Sequence, residues 1–120
     1  MQEKESDIQR AIIEYLEWNK WFVLRINSGM ISSDYWHKGK GRIVKSLIRL
    51  APPGTPDILA CSPGGKFIGI EVKKPGKEPT ELQHKTLEKI CDLGGIGLWA
   101  TSLKEVIDDL KSVGLLPEKQ

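Results

Sequence analysis

Apolar residues at Ile8, Ala11, Ile12, Tyr15 and Leu16 recur at intervals of three and four, the spacing of one helical face, and Asn19 supplies a stop. This predicts an amphipathic helix over residues 5–18. The period then changes. Trp21-Phe22-Val23-Leu24-Arg25-Ile26 reads as a strand, Ser28 to Gly41 turns polar and glycine-containing, and Arg42 to Leu50 regains strand character through Ile43, Val44, Leu47 and Ile48. Two short apolar runs follow, Ile58-Leu59-Ala60-Cys61 and Phe67-Ile68-Gly69-Ile70. Ser62-Pro63-Gly64-Gly65 separates them as a turn, so they read as a hairpin. Past Pro75, Gly76 and Pro79, Thr80-Glu81-Leu82-Gln83 has capping-box form and opens a helix that runs to Gly94-Gly95. Ile96 to Ala100 is a short strand. Ser102-Leu103-Lys104-Glu105 is a second capping box, and its helix carries Leu103, Val106, Ile107 and Leu110 until Gly114 ends it. The order is helix, three or four strands, helix, strand, helix, which makes this an α/β chain without internal repeats.

The sharpest chemistry lies in that hairpin. Asp57 opens its first strand and Glu71-Val72-Lys73 closes its second. Folding about Pro63 and Gly64 brings Asp57 opposite Ile70 or Glu71, and side-chain alternation points Glu71 and Lys73 the same way, with Val72 turned into the opposite layer. Two carboxylates about 4 Å apart repel by roughly 4 kcal/mol at an effective dielectric of about 20, so the pair draws in a proton or a cation. Hard oxygen ligands suit Mg²⁺ or Mn²⁺, and the Val72 carbonyl offers a further oxygen. With Lys73 orienting an attacking water or neutralising charge on a phosphoryl oxygen, the grouping fits phosphodiester hydrolysis. Taken singly, Asp57 also reads as a turn residue after proline, and Glu71-Val72-Lys73 as an exposed strand end. Glu5 falls near the edge of the first helix's apolar stripe, where it either faces inward or complements the helix dipole. Gln83 is either a capping side chain or, on the stripe of Leu87 and Ile90, aimed toward the Lys73 strand.

Composition narrows the setting. With 120 residues and 39% hydrophobic content there is enough apolar surface for one core, so residues 1–120 read as a single domain with a basic hairpin inserted at about 30–51. A net charge of +2 says little about partners, but its distribution says more. From His37 to Arg49 no acid interrupts Lys38, Lys40, Arg42 and Lys45, and Tyr35 and Trp36 precede them. Cations interleaved with glycine and aromatics suit phosphate contact and base stacking, against the plainer reading of a solvated hairpin. There is no membrane-length apolar run, and the amino terminus lacks a signal peptide's apolar core, so a cytoplasmic setting is expected. Cys61 and Cys91 form no CxxC pair and read as reduced core residues; His37 and His84 read as surface residues, and Trp99 as core.

With Glu5, Asp57, Glu71 and Lys73 in place, the chain resembles the PD-(D/E)xK nuclease superfamily, most of all its VRR-NUC branch, the virus-type replication-repair nucleases. The resemblance covers Glu5 to about Thr101. It rests on Glu5-Ser6-Asp7-Ile8-Gln9, Arg25-Ile26-Asn27-Ser28-Gly29, Gly54-Thr55-Pro56-Asp57-Ile58, Ile70-Glu71-Val72-Lys73 and Thr80-Glu81-Leu82-Gln83, in that order. It implies a restriction-endonuclease-like core of order α-β-β-β-β-α-β-α, with a central mixed sheet flanked by helices. It further implies that Asp57, Glu71 and the Val72 carbonyl bind the metal, that Lys73 serves the attacking water, that Glu5 supports the metal cluster and that Gln83 lies near the site. Gln9 and Ser28 match polar positions, Ser28 as a DNA contact. Residues 30–51 match no family pattern, and substrate choice is expected there. Small members consisting of little more than this domain resemble Holliday-junction resolvases that act as two-fold dimers, and larger ones are multidomain repair nucleases. The expectation is therefore a metal-dependent, structure-selective DNA endonuclease, resolvase-like and homodimeric. A flap, nick or end-processing nuclease, a non-catalytic DNA-binding module and a metal-dependent ribonuclease are the alternatives.

Overall fold

The three-four spacing of the first segment closes into α1 (Glu5–Trp18), which buries Ile8, Ile12 and Leu16 and ends at Asn19. The computed structural model describes residues 4–26, 30–49 and 51–118, at backbone level only over 30–33 and 47–49. After α1 come β1 (Phe22–Arg25), β2 (Met30–His37), β3 (Arg42–Arg49), β4 (Ile58–Cys61), β5 (Phe67–Val72), α2 (Glu81–Asp92), β6 (Ile96–Ala100) and α3 (Leu103–Ser112). Four strands form a mixed sheet in the order β1-β4-β5-β6. β4 is antiparallel to both its neighbours, whereas β5 and β6 run parallel because α2 carries the chain back between them.

Alternation divides the sheet into two unlike faces. Ile58 and Ala60 of β4, Ile68, Ile70 and Val72 of β5, and Ala100 of β6 meet Ile8, Ile12 and Leu16 of α1 and Val106 and Leu110 of α3. That is the core. On the other face α2 lies over β5 and β6, where Gly69 and Gly97 are paired across the strands. A Cβ at Gly97 would stand 2.3 Å from the Leu87 carbonyl oxygen, and one at Gly69 would stand 2.6 Å from Ile90 Cδ1. The paired glycines therefore let α2 settle close to the sheet, which carries its first turn to the end of β5. Because the obstacle at Gly97 is backbone and cannot rotate away, Gly97→Ala is expected to cost about 1–3 kcal/mol. A lower urea midpoint with an unchanged slope would register this. Over β1 and β4 the same face has no helix among the described residues, and Phe22, Leu24 and Phe67 are exposed around a shallow cavity that Leu59 and Cys61 also line.

Some sequence expectations need correction. The expected order holds one strand too few before α2, because Met30–His37 is a strand. β2 and β3 pair with each other over eight residue pairs, from Met30↔Arg49 to His37↔Arg42, as a ribbon separate from the central sheet. A ribbon without a core face has no need of inward-outward alternation, so its first strand reads as polar loop. It stretches the molecule to 64 × 38 × 28 Å with a radius of gyration of 17.5 Å; a compact chain of this length would have about 13.6 Å. The second capping box is half formed: Ser102 accepts from the Glu105 N–H at 3.2 Å, while the Glu105 carboxylate turns to Thr101. Cys91 is exposed rather than core, its sulfur accepting from the Gly97 N–H at 3.2 Å. His84 is half-buried edge-on against a half-buried Trp99, and His37 is half-buried beside Tyr35. No helix among the described residues is long and apolar enough to cross a membrane.

Candidate active site

Ile58 pairs with Ile70, so the antiparallel register, continued by one residue, sets Asp57 opposite Glu71. The Asp57 carboxylate accepts from the Val72 N–H at 2.8 Å, and its main-chain carbonyl accepts from the Ile26 N–H at 2.7 Å, which fixes it between the ends of β1 and β5. Glu71 projects under the first turn of α2 and is only 2% exposed. One of its oxygens, Oε1, accepts from Gln83 Nε2 at 3.1 Å and lies 3.9 Å from Lys73 Nζ. The other, Oε2, is buried without a hydrogen-bond partner among the described residues. Lys73 keeps 16% of its side chain exposed and donates its backbone N–H to the Ala100 carbonyl at 3.0 Å. Its ammonium is thus at the rim of the site, with its backbone held by the end of β6.

Helix N-termini bring in the remaining groups. Gln83 sits at the third position of α2: its N–H donates to Thr80 Oγ1 at 3.2 Å, and its Oε1 accepts from the Thr80 N–H at 2.8 Å. The capping box therefore commits the amide oxygen and leaves the amide nitrogen for Glu71, so the two readings of Gln83 are both realised. From α1, Glu5 Oε1 accepts from the Lys74 N–H at 3.3 Å, which places its carboxylate at the same end of the sheet. One turn on, Gln9 Oε1 accepts from Arg25 Nε at 3.1 Å. Arg25, to which no separate role was assigned from sequence, stands next to the residue that binds the Asp57 carbonyl. The available signal was the one-turn spacing of Glu5 and Gln9.

The pKa of Glu71 is pushed up to about 8, first by burial and then by the charge of Asp57; Lys73 opposes this and Glu5 adds to it. The sign of the resulting pH dependence is definite. An acid whose folded pKa exceeds its unfolded value of 4.5 lends stability that is complete below 4.5 and is lost as pH rises toward 8. In EDTA the melting temperature is thus expected to fall between pH 5 and pH 8 and then level off, and the slope is expected to vanish in Glu71→Gln. Thermal melts by circular dichroism across that range check it.

A buried carboxylate oxygen without a donor, beside a second carboxylate, is the condition that a divalent cation relieves. Asp57 and Glu71 are the pair placed to hold one. No three His, Cys, Asp or Glu side chains among the described residues converge on a single point, so the carboxylates form a pair rather than a cage. Asp57, Glu71, Lys73, Gln83 and Glu5 are all brought to one end of the sheet. Tyr35, Trp36, Lys38, Lys40, Arg42 and Lys45 instead lie exposed on the ribbon of β2 and β3, and Ser28 lies outside the described residues.

No family model matches the chain. A protein named "Putative nuclease p44", of Acyrthosiphon pisum secondary endosymbiont phage 1, is 35% identical over 54 residues, a segment that spans 45% of this chain and 58% of that protein. A solved structure of a VRR_NUC domain superposes with a TM-score of 0.60 and 24% identity, covering 90% of this chain and 94% of that one. Mixed sheet, flanking helices and near-complete mutual coverage lead to one structural conclusion: this chain has the fold of a VRR_NUC domain.

Proposed function

We propose that this chain is a metal-dependent nuclease of the VRR-NUC type, hydrolysing DNA phosphodiesters at the end of β5. The observation that carries the reading is the environment of Glu71, a buried acid with one oxygen held by Gln83 and the other unpaired beside Asp57. Asp57, Glu71 and the Val72 carbonyl would hold Mg²⁺ or Mn²⁺, with Glu5 in support. When bound, such a cation makes water nucleophilic at neutral pH and offsets charge on the scissile phosphate. Lys73, charged and at the rim, orients the water or stabilises the phosphoryl oxygens as charge grows on them. Gln83 keeps the Glu71 carboxylate from rotating. A similar likeness to a nuclease-named phage protein supports the reaction class.

For the substrate, the proposal is branched DNA, cut by a homodimer in the manner of a Holliday-junction resolvase. Two-fold pairing is supported by the apolar face left over β1 and β4, where exposed Phe22, Leu24 and Phe67 are available to meet the same residues of a second copy. The test is cleavage of end-labelled four-way junction, flap, duplex, single-stranded DNA and matched RNA with Mg²⁺, Mn²⁺ or EDTA, alongside light scattering. Paired symmetric nicks by a dimer support the full proposal. Cuts at flaps or ends keep the active site and shift the role to repair-type processing, faster RNA cleavage makes the chain a ribonuclease, and DNA binding without cleavage under any ion overturns the enzyme reading.

A further inference from the structure

The ribbon of β2 and β3 poses a problem of stability. Two strands alone are marginal in water unless something covers them, yet this ribbon is a sheet of its own, and its outer half carries large apolar side chains in solvent. Its register sorts those side chains. Trp36 lies directly opposite Ile43, so both occupy one face, and they are 60% and 65% exposed. Tyr35, His37, Arg42 and Val44 occupy the other, where the Tyr35 and His37 rings approach to 6.3 Å. Beyond both faces the turn Lys38-Gly39-Lys40-Gly41 is closed by the His37 carbonyl, which accepts the Lys40 and Gly41 N–H groups at 3.2 and 2.9 Å, with Gly41 at φ +62°. The one acid among 34–49, Asp34, sits across from Lys45 and leaves Lys38, Lys40 and Arg42 at the tip unopposed.

This chemistry selects among the ways a ribbon meets DNA. A ribbon that reads sequence in the major groove needs polar side chains toward the base edges. Here one face of the outer ribbon, a single residue pair in from His37 and Arg42 at the tip, is Trp36 and Ile43, which suit the flat face of a base. In a continuous duplex those faces are stacked and inaccessible; at a junction, nick or flap the terminal pair exposes one. Cations just beyond the aromatic would grip the phosphates that flank such a break.

We infer that the β2–β3 ribbon is a branch-seating arm, in which the Trp36–Ile43 face stacks on the base pair exposed where a duplex is interrupted while Lys38, Lys40 and Arg42 bind the adjoining phosphates. The inference rests on the reading of DNA as substrate but not on cleavage. The arm gives the chain preference for DNA structure, without preference for sequence.

The test is binding by the full chain in EDTA, where cutting plays no part, using fluorescence anisotropy with a four-way junction and a continuous duplex of the same sequence. A second junction carries 2-aminopurine beside the branch point. Wild-type protein is expected to favour the junction and to change the 2-aminopurine emission. Trp36→Ala should lose roughly 5- to 100-fold on the junction, keep its duplex affinity and abolish the emission change, while Trp36→Phe retains most of the preference. Ile43→Thr should move in the same direction as Trp36→Ala. Replacing Lys38, Lys40 and Arg42 together by Ala should instead weaken both substrates and flatten their salt dependence. Equal losses on junction and duplex in Trp36→Ala, or no loss, would overturn the inference. So would a drop in particle mass by light scattering, which would assign the face to a second copy of the chain. A failure of the nuclease reading would appear separately, as a junction preference without cleavage once metal is supplied.

Discussion

Glu71→Gln is expected to reduce DNA cleavage by about a thousandfold or more, a barrier increase of ~4 kcal/mol, while DNA binding persists. The substitution keeps shape and removes charge. The new side chain can direct its oxygen to Gln83 Nε2, so the hydrogen bond that holds the wild-type carboxylate has a counterpart, and it can turn its amide N–H groups toward Asp57. The affinity for a cation is what has no counterpart, since the amide offers one neutral oxygen where a carboxylate stood. Mn²⁺ should therefore raise the melting temperature of the wild type but not of the variant. In EDTA at pH 8 the order reverses, and the variant should melt higher because it no longer buries an ionising acid beside Asp57. Single-turnover cleavage and paired melts measure both arms. Full cleavage by Glu71→Gln would remove this acid from the mechanism.

Lys73→Ala is expected to lower cleavage by about 10²–10⁴-fold with Mn²⁺ affinity changed only a few-fold. Two electrostatic effects oppose each other in the ground state. Removing the ammonium 3.9 Å from Glu71 Oε1 makes that acid harder to ionise, which weakens cation binding. It also removes a positive charge that repels the incoming cation, which strengthens binding. In the transition state the loss is expected to tell in full, because Lys73 is the cation whose charge acts on Glu71. Isothermal calorimetry with Mn²⁺ and single-turnover rates separate the two. A large loss of Mn²⁺ affinity would make Lys73 part of the cation site instead.

Much of this arrangement was legible in the sequence because it is local. The Asp57–Lys73 hairpin has a strong turn and short apolar strands, so register followed to within one residue, and the structure selects Glu71 as the partner of Asp57. Thr80 and Gln83 announced the start of α2 through capping chemistry alone. Glu5 was ambiguous for a physical reason: its position on a helix says which way it points, not that the loop after β5 supplies Lys74 to meet it across sixty-nine residues. The pairing of Gly69 with Gly97 was equally invisible, because it needs the parallel register of β5 and β6. The hairpin at about 30–51 was legible from its basic run, yet Met30–His37 lacks the alternation of a strand, since a ribbon outside the core obeys pair rules and not burial rules.

The double use of the Gln83 amide narrows what evolution or an engineer can place there. At the third position of a helix a glutamate completes a capping box as a glutamine does. Here a glutamate would satisfy the Thr80 N–H with one oxygen and turn the other, about 3 Å away, upon Glu71. It would replace a donor by a third anion in a site that already holds a carboxylate pair. The capping preference admits two residues and the neighbouring acid admits one, so a single carboxamide ties the start of a helix to the charge state of the site beneath it.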